Sequence, residues 1–322
     1  MASIHDSYLG VAEEITYGTA VAPARFLEMV SEGLAGKYER IESQGFRAGQ
    51  RVLHRDRFVP NPKGAGGDLK LEGQDSSLGL LFKHAFGAVS TGTAAGGFTP
   101  HTFTVGTLAG KSLTVQVGRV DNAGVVHPFT YEGGKVTSWE LSNAVDGVLE
   151  FSVELDFARE KIGAGTGAYA VATPTYSTSA QLFTFVGGSV EIGGTPFGVA
   201  DISIKGDNKL KDDRWSTVGK REPLEEGMRE YSFDLKGEFE GLTHANRVAA
   251  AVASGALATL SLKWASPQGG ELTITAPVAR FDEGSVNFDG AKVIEHPLKG
   301  MILWDGTASP LTVLYKSKDV AP

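Results

Sequence analysis

The sequence predicts a mainly β protein with two similar β-barrel or β-sandwich domains, each flanked by one short α-helix. Three observations predict this fold: a high glycine content, stretches of alternating apolar and polar residues, and one short motif that occurs twice. Glycine accounts for 42 of the 322 residues, about twice the usual share of roughly 7%. Many short strands joined by tight turns explain such a composition.

Alternation is clearest at residues 149–156, where apolar residues occupy the odd positions and polar residues the even positions. The same pattern recurs at 230–240, where Tyr231, Phe233 and Leu235 alternate with polar residues. Successive side chains of a β-strand point to opposite faces, so each segment has one face for a core and one for water. The water-facing side carries mostly acidic residues.

The motif Asp-Leu-Lys-x-Glu begins at Asp68 and again at Asp234, 234 − 68 = 166 positions apart. Each copy precedes a segment with apolar residues at helical spacing, at 76–86 and at 243–253. Strands are then predicted in the same order in both halves, at 113–120 and 125–131, and at 257–264, 271–276 and 284–288. We therefore predict a duplicated domain; the alternative is two chance matches of the motif.

Under this interpretation the chain has five parts. The predicted order is an N-terminal arm at 1–30, a first domain copy at 31–160, a linker at 161–178, a second domain copy at 179–305 and a C-terminal arm at 306–322. The linker is assigned from its small and turn-forming residues.

Composition excludes several classes of protein. The formal net charge is −8, which disfavours tight binding to a nucleic acid backbone. The chain has no cysteine, so it has neither disulfides nor thiolate metal sites. We find no signal-peptide pattern and no apolar run near the roughly eighteen residues of a membrane helix. We therefore expect a soluble protein without membrane insertion.

A search for catalytic or metal-binding patterns yields no site. The seven histidines have no metal-ligand spacing. Paired carboxylates at 13–14, 212–213 and 225–226 are predicted on hydrated faces, where carboxyl pKa values stay ordinary. The Gly-rich stretch at 163–167 lacks the Lys and the strand-to-helix setting of a phosphate loop. The sequence therefore predicts no enzyme, no cofactor and no metal.

Long polar segments precede both motif strands, at 46–64 and at 208–227. Loops of this length are uncommon in compact domains unless they have a function or are disordered. We interpret them as β-hairpin arms that are mobile in the free subunit and become ordered by docking on an acidic surface of an adjacent copy, with solvated loops as the alternative. Their basic residues are Arg47, Arg51, Arg55, Arg57 and Lys63 in the first segment and Lys209, Lys211 and Arg214 in the second.

Three stretches near the N-terminus resemble one protein family. They read L-G-V-A-E-E-I-T-Y-G-T-A-V-A-P at 9–23, S-E-G-L at 31–34 and E-S-Q-G-F-R at 42–47. This pattern resembles the N-terminal signature of tail tube (major tail) proteins of long-tailed bacteriophages. In that family an Arg-containing loop, a Gly-rich strand and a short helix follow, which fits residues 67–87. Beyond this point the resemblance is architectural.

The resemblance implies a structural protein of the virion tail, assembled in the host cytoplasm, whose rings stack into a tube that conducts double-stranded DNA during ejection. Family members form hexameric rings from one domain per chain or trimeric rings from a duplicated domain. The doubled motif favours the homotrimer, with the hexamer as the alternative. The implied partners are other copies of the chain and the tail initiator, terminator and tape measure proteins.

Within such a tube, the acidic faces of the motif strands are predicted to line the lumen, because acidic side chains repel DNA phosphates. The predicted lumen residues are Asp68, Lys70, Glu72, Glu150, Glu154, Asp156, Asp234, Lys236, Glu238 and Glu240. The alternative function is a β-sandwich module that binds carbohydrate or protein. Such a module would usually expose an aromatic cluster, whereas the four Trp residues are dispersed along the chain.

Overall fold

The computed structural model describes residues 4–286 and 293–322, and these residues form 23 β-strands and two α-helices. The first half contains β1 (Tyr8–Glu14), β2 (Arg25–Leu27), β3 (Met29–Glu32), β4 (Ala35–Glu42), β5 (Phe58–Glu72), α1 (Gly79–Phe86), β6 (Gly87–Thr91), β7 (Thr99–Val105), β8 (Ser112–Val120), β9 (Val126–Ala144), β10 (Glu150–Phe157) and β11 (Arg159–Ile162).

The second half contains β12 (Gly188–Ile192), β13 (Thr195–Pro196), β14 (Val199–Asp207), β15 (Leu210–Lys211), β16 (Trp215–Ser216), β17 (Gly219–Lys220), β18 (Leu224–Glu225), β19 (Glu230–Glu238), α2 (Leu242–Ser254), β20 (Ala258–Ala265), β21 (Glu271–Glu283), β22 (Glu295–Ile302) and β23 (Thr312–Ser317). The prediction of a mainly β fold with two helices is confirmed. No described helix has both the length and the apolar content needed to cross a membrane.

Boundaries differ from the predicted ones where distant residues intervene. Helix α1 begins at Gly79 because Ser77 has a left-handed backbone (φ 70°) and its N–H donates to the Asp319 carboxylate. Strand β21 ends at Glu283, so residues 284–286 are not part of it. Residues 287–288 of the strand predicted at 284–288 lie outside the described residues.

Nine strand segments in eight positions, with β3 and β4 sharing one edge position, form one antiparallel sheet, which we call the wall sheet. Its order is β3 and β4, β5, β10, the C-terminal part of β9, β14, β19, β22 and the C-terminal part of β21. The N-terminal part of β9 leaves this sheet and pairs with β8 and β11, and that of β21 pairs with β20 and β23. These parts belong to an outer layer that covers the wall sheet.

The core lies between the wall sheet and the outer layer. In the first half, α1 inserts Phe82 beside Phe151 of β10, with ring centroids 4.8 Å apart and both side chains fully buried. In the second half, Phe233 of β19 packs edge-on against Phe281 of β21, with centroids 5.2 Å apart. Burial of such apolar side chains is the main favourable term in folding. The alternation seen in the sequence therefore orients one face of the wall sheet towards this core.

The strand registers of the first half recur in the second at constant offsets. The β8–β9 and β20–β21 pairs have the same residue pairing. Leu113 lies opposite Gly134 in the first pair, and Ala258 lies opposite Ala279 in the second, so that 258 − 113 = 279 − 134 = 145. Both pairs have a register shift at the same place, after Leu113 and after Ala258. Strands β3 and β14 also share a shift, after Met29 and after Val199. A β-bulge is a specific local feature, so its recurrence indicates a common plan.

Contacts along the whole boundary join the halves. Strand β9 pairs with β14 over seven residues, from Ala144 with Asp201 to Ser138 with Asp207. The Trp264 Nε1 atom donates to Asn143 Oδ1 across 3.0 Å. The buried Asp75 carboxylate of the first half accepts from Ser266 Oγ of the second half at 2.8 Å. The two halves are thus one continuous structure.

Candidate functional site

The face of the wall sheet away from the core is the first candidate functional surface. Because β5 and β10 pair with Asp68 opposite Glu154 and Glu72 opposite Glu150, their polar side chains project from one face. The β19 residues project from the same face further along the sheet. Eight of the ten predicted lumen residues lie here: Asp68, Lys70, Glu72, Glu150, Glu154, Asp234, Lys236 and Glu238.

The other two predicted lumen residues are placed differently. Glu240 is exposed but follows the end of β19. Asp156 is buried, with 3% of its surface exposed, under the segment that precedes β19. Alternation along β10 predicts the face of Asp156 but contains no information on what covers it.

Charge on this face is predominantly negative. Four lysines of this face pair with acids: Lys70 with Glu150 at 2.9 Å, Lys205 with Glu140 at 3.2 Å, Lys236 with Glu295 at 3.0 Å and Lys299 with Asp234 at 2.8 Å. Asp68, Glu72, Glu154, Asp201 and Glu238 have no cationic side chain within ion-pair distance among the described residues. The unpaired acids therefore set the sign of the surface charge.

Sequence reasoning missed part of this surface. The strongest missed signal is β14, where Asp201, Ser203 and Lys205 alternate with the buried Ile202 and Ile204. That alternation was present in the sequence. Its neighbour in the sheet is β9, whose contribution, Glu140, becomes apparent only from the β9–β14 pairing.

The second polar segment, 208–227, folds back on the first half. It contains the small hairpins β15–β18 and β16–β17. Lys220 Nζ lies 2.5 Å from Asp156 Oδ1, and each side chain is 4% exposed. Glu222 binds Lys135, whose Nζ also donates to the Leu108 carbonyl at 2.6 Å. We call the Lys220–Asp156 and Glu222–Lys135 pairs the latch.

Burial shifts both charged groups that the first half contributes to the latch. Burial raises the pKa of the Asp156 carboxyl, and the hydrogen bond from Lys220 opposes that shift. Burial lowers the pKa of the Lys135 amine, against the effect of Glu222. Each group therefore depends on its partner to remain charged.

The basic residues of this second segment are satisfied within the chain. Lys209 Nζ lies 2.7 Å from Asp207 and 3.0 Å from Glu230, and Lys211 Nζ lies 2.6 Å from Glu226. Arg214 donates to the Glu222 carbonyl at 2.6 Å. The segment is hairpin-like, as predicted, but it is docked on the first half instead of extending freely.

The first polar segment is an extended hairpin formed by β4 and the N-terminal part of β5, which we call the hairpin arm (residues 35–64). Strand β5 pairs with β10 from Ala65 onwards. Its earlier residues, 58–64, pair only with β4 among the described residues. Arg47, Arg51 and Arg55 are exposed in its loop, and Arg57 is half-buried. Lys63 at its base lies 5.0 Å from the ring centroid of Trp215 instead.

Apolar side chains are also exposed on the hairpin arm. Phe46 is 95% exposed and Val52 is 84% exposed, which is unusual for large apolar residues close together and typical of an interaction surface. The arm thus combines positive charge with apolar groups. Within the described residues no group of three or more potential metal ligands occurs.

The described residues form a long sheet with one acidic face, two edges without a paired strand and a projecting arm, which are features typical of a structural protein. A protein-family model described as phage tail tube protein matches residues 4–302, and the chain therefore belongs to the phage tail tube family. No curated protein matches the chain. Membership supports the tail tube function over that of a β-sandwich binding module. It makes the chain a structural component of the virion tail that assembles into a tube with copies of itself and associates with other tail proteins.

The latch makes a prediction about stability. Lys220→Ala leaves the Asp156 carboxylate buried without a cation, and loss of one partner of a buried pair costs about 3–5 kcal/mol. We expect a decrease of that size in the free energy of unfolding, measured by urea denaturation. The double variant Asp156→Asn with Lys220→Met should lose much less, because no charge remains buried.

Lys211→Ala is the matched control. It removes a lysine from the exposed pair with Glu226, where the side chains are 43% and 61% exposed, so the expected loss is only about 0.2–1 kcal/mol. Equal effects of Lys220→Ala and Lys211→Ala would contradict the assignment of the latch.

Proposed function

We propose that the chain carries two copies of one tube domain and that three chains form a ring with pseudo-sixfold symmetry. The recurrent strand registers support the duplication, and they carry the proposal. Each half contributes four strands to the wall sheet: β3 with β4, β5, β10 and β9 from the first, and β14, β19, β22 and β21 from the second. Stacked rings would form the tail tube.

The dimensions of such a ring suit DNA passage. Three chains with eight strand positions each give 24 strands. At ~4.8 Å spacing and ~40° tilt, these strands close at a diameter of about 48 Å. Side chains would leave a channel of roughly 35–40 Å. Such a channel admits a DNA duplex.

The acidic face of the wall sheet is assigned to the lumen. The opposite face covers the core, so only this face is available to a central channel. DNA-binding proteins neutralise phosphates with Lys and Arg, whereas four lysines of this face are already paired with acids. The lumen would therefore let DNA slide without retaining it during ejection.

The hairpin arm is assigned to contacts between stacked rings. It projects beyond the β5–β10 pairing and presents exposed arginines with apolar neighbours. Each exposed ion pair contributes only about 0.2–1 kcal/mol, but every ring repeats the contact. The initiator, terminator and tape measure proteins of the tail are the further partners, and assembly takes place in the host cytoplasm.

Reversing the lumen charge tests the channel. Glu72→Lys with Glu154→Lys changes two acids that have no cationic partner among the described residues, so folding should change little. We expect several-fold slower DNA ejection from particles that carry this variant at low ionic strength. The difference should shrink as salt rises, because screening weakens the attraction of lysine for phosphate.

The matched control is Glu191→Lys with Asp213→Lys, which makes the same charge change at exposed positions outside the wall sheet. It should eject DNA at the normal rate. Normal ejection by the Glu72→Lys, Glu154→Lys variant at low salt would remove these residues from the lumen.

Reversing the arm charge tests stacking. Arg51→Glu with Arg55→Glu should leave rings intact and prevent long tubes, as seen by negative-stain microscopy. Because the arm also carries Phe46 and Val52, we expect high salt to weaken stacking in the unmodified protein without abolishing it.

The control for the arm is Lys161→Glu with Lys263→Glu, on strands β11 and β20 of the outer layer. This variant should form tubes. If the Arg51→Glu, Arg55→Glu variant forms tubes of normal length, the arm does not join the rings.

A further inference from the structure

We infer that the open β3–β4 edge of the first half, with the groove beside it, binds the second half of a second copy in the same register that joins the two halves within one chain. The inference rests on the proposed ring. It adds the surface, the occupant and the residue pairing of each junction between chains.

The junction within the chain provides the template. Along β14, Lys205 lies directly opposite Glu140 of β9, and their side chains form an ion pair at 3.2 Å. Past the end of β9, Val145 N donates to the Ala200 carbonyl at 2.9 Å and Leu149 N donates to the Phe183 carbonyl at 2.8 Å. The first half therefore covers both the edge of β14 and the end of the second half's sandwich.

The equivalent surface on the first half is uncovered. Since 199 − 29 = 170, β14 corresponds to β3 and β4 at an offset of 170. Within the described residues β3 and β4 pair only with β5, so their outer edge is free. Val30, the equivalent of Ala200, is 52% exposed.

A groove lies beside this free edge. Its volume is about 1030 Å³, and its lining includes Leu27, Met29, Val117, Arg119 and Tyr176. In the second half, the corresponding end of the sandwich is closed by Trp264, the equivalent of Arg119 at the offset of 145, and by Asn143 of the first half. The groove of the first half thus corresponds to the site that the neighbouring half covers in the second half.

The second half has the matching edge. Beyond Ala279, β21 pairs only with β22 among the described residues. At the offset of 145, Glu283 corresponds to Ser138. In the first half, Ser138 is the first of seven β9 residues, ending at Ala144, that pair with β14. Glu283 therefore marks where the equivalent pairing of β21 with a neighbour would begin. Val293, equivalent to Val148, is 67% exposed. An unpaired strand edge is a template for another strand.

The offsets fix the pairing between chains. Lys205 corresponds to Ala35, since 205 − 35 = 170, and Glu140 corresponds to Ser285, since 285 − 140 = 145. Ala35 of one chain should therefore lie opposite Ser285 of the next. Two positions further, Lys37 meets Glu283, so opposite charges face each other across the junction. Neither residue has an oppositely charged side chain within ion-pair distance among the described residues.

Disulfide cross-linking tests this register. The chain has no cysteine, and both Ala35 and Ser285 are small and exposed. Docking would extend β21, which ends at Glu283 in the single chain, through residues 284–286. Directly opposite residues of antiparallel strands have Cα atoms about 4.5–5.5 Å apart, within the range of a disulfide. Oxidation of assembled Ala35→Cys, Ser285→Cys protein should therefore link chain to chain on a non-reducing gel. Dilute, unassembled protein should remain a single chain.

Two control pairs accompany the test. Glu140→Cys with Lys205→Cys should form a disulfide inside one chain, which shows that paired positions oxidise under the conditions used. Glu39→Cys with Ser285→Cys displaces one partner by four residues, about 13 Å along the strand, and should give no link.

The outcomes separate this inference from the proposed function. Rings that link through Glu140→Cys, Lys205→Cys but not through Ala35→Cys, Ser285→Cys would overturn the junction and leave the tail tube function standing. Linking of the displaced pair instead would also overturn it. If the unmodified protein forms neither rings nor tubes, the proposed ring fails and this junction fails with it.

Discussion

The pairing of β9 with β14 is the interaction on which the rest of the structure depends. It joins the two halves, whose buried apolar residues form one cluster, into one antiparallel sheet of eight strand positions. Because directly paired residues of neighbouring strands point to the same face of a sheet, this pairing also aligns the polar faces of both halves. The acidic surface is therefore continuous, although its residues come from segments more than a hundred positions apart. Among the residues that the structure describes, each end of the sheet has an edge without a paired strand, and such edges favour association with further strands.

The charges of the chain have two different roles. On the wall sheet, exposed lysines pair with exposed acids and contribute little to stability, but they leave the unpaired acids to determine what the surface repels. In the latch, the Lys220–Asp156 pair is buried and the Glu222–Lys135 pair is partly buried, and both hold the 208–227 segment against the first half. The two polar segments therefore differ: the second is docked on the first half, whereas the loop of the first is exposed.

Local patterns in the sequence predicted the helices and much of the acidic face. Alternation in β5, β10 and β19 predicted the exposed acidic face, and helical spacing after each motif predicted α1 and α2. What the sequence did not reveal depends on residues far away in the chain. Asp156 follows the alternation of β10 yet is buried, because Lys220 covers it from 64 positions away. Helix α1 starts three residues late because Asp319, near the C-terminus, binds Ser77. No local pattern encodes such contacts.

The central claim is that two equivalent wall units lie in each chain, so that three chains complete a ring. Native mass spectrometry of single rings tests this claim most directly. With a chain mass of 33.9 kDa, the account predicts a ring of three times that mass, about 102 kDa, and no stable species of six chains in one ring. A single ring of six chains would contradict the account, because twelve equivalent halves would then have to close the wall.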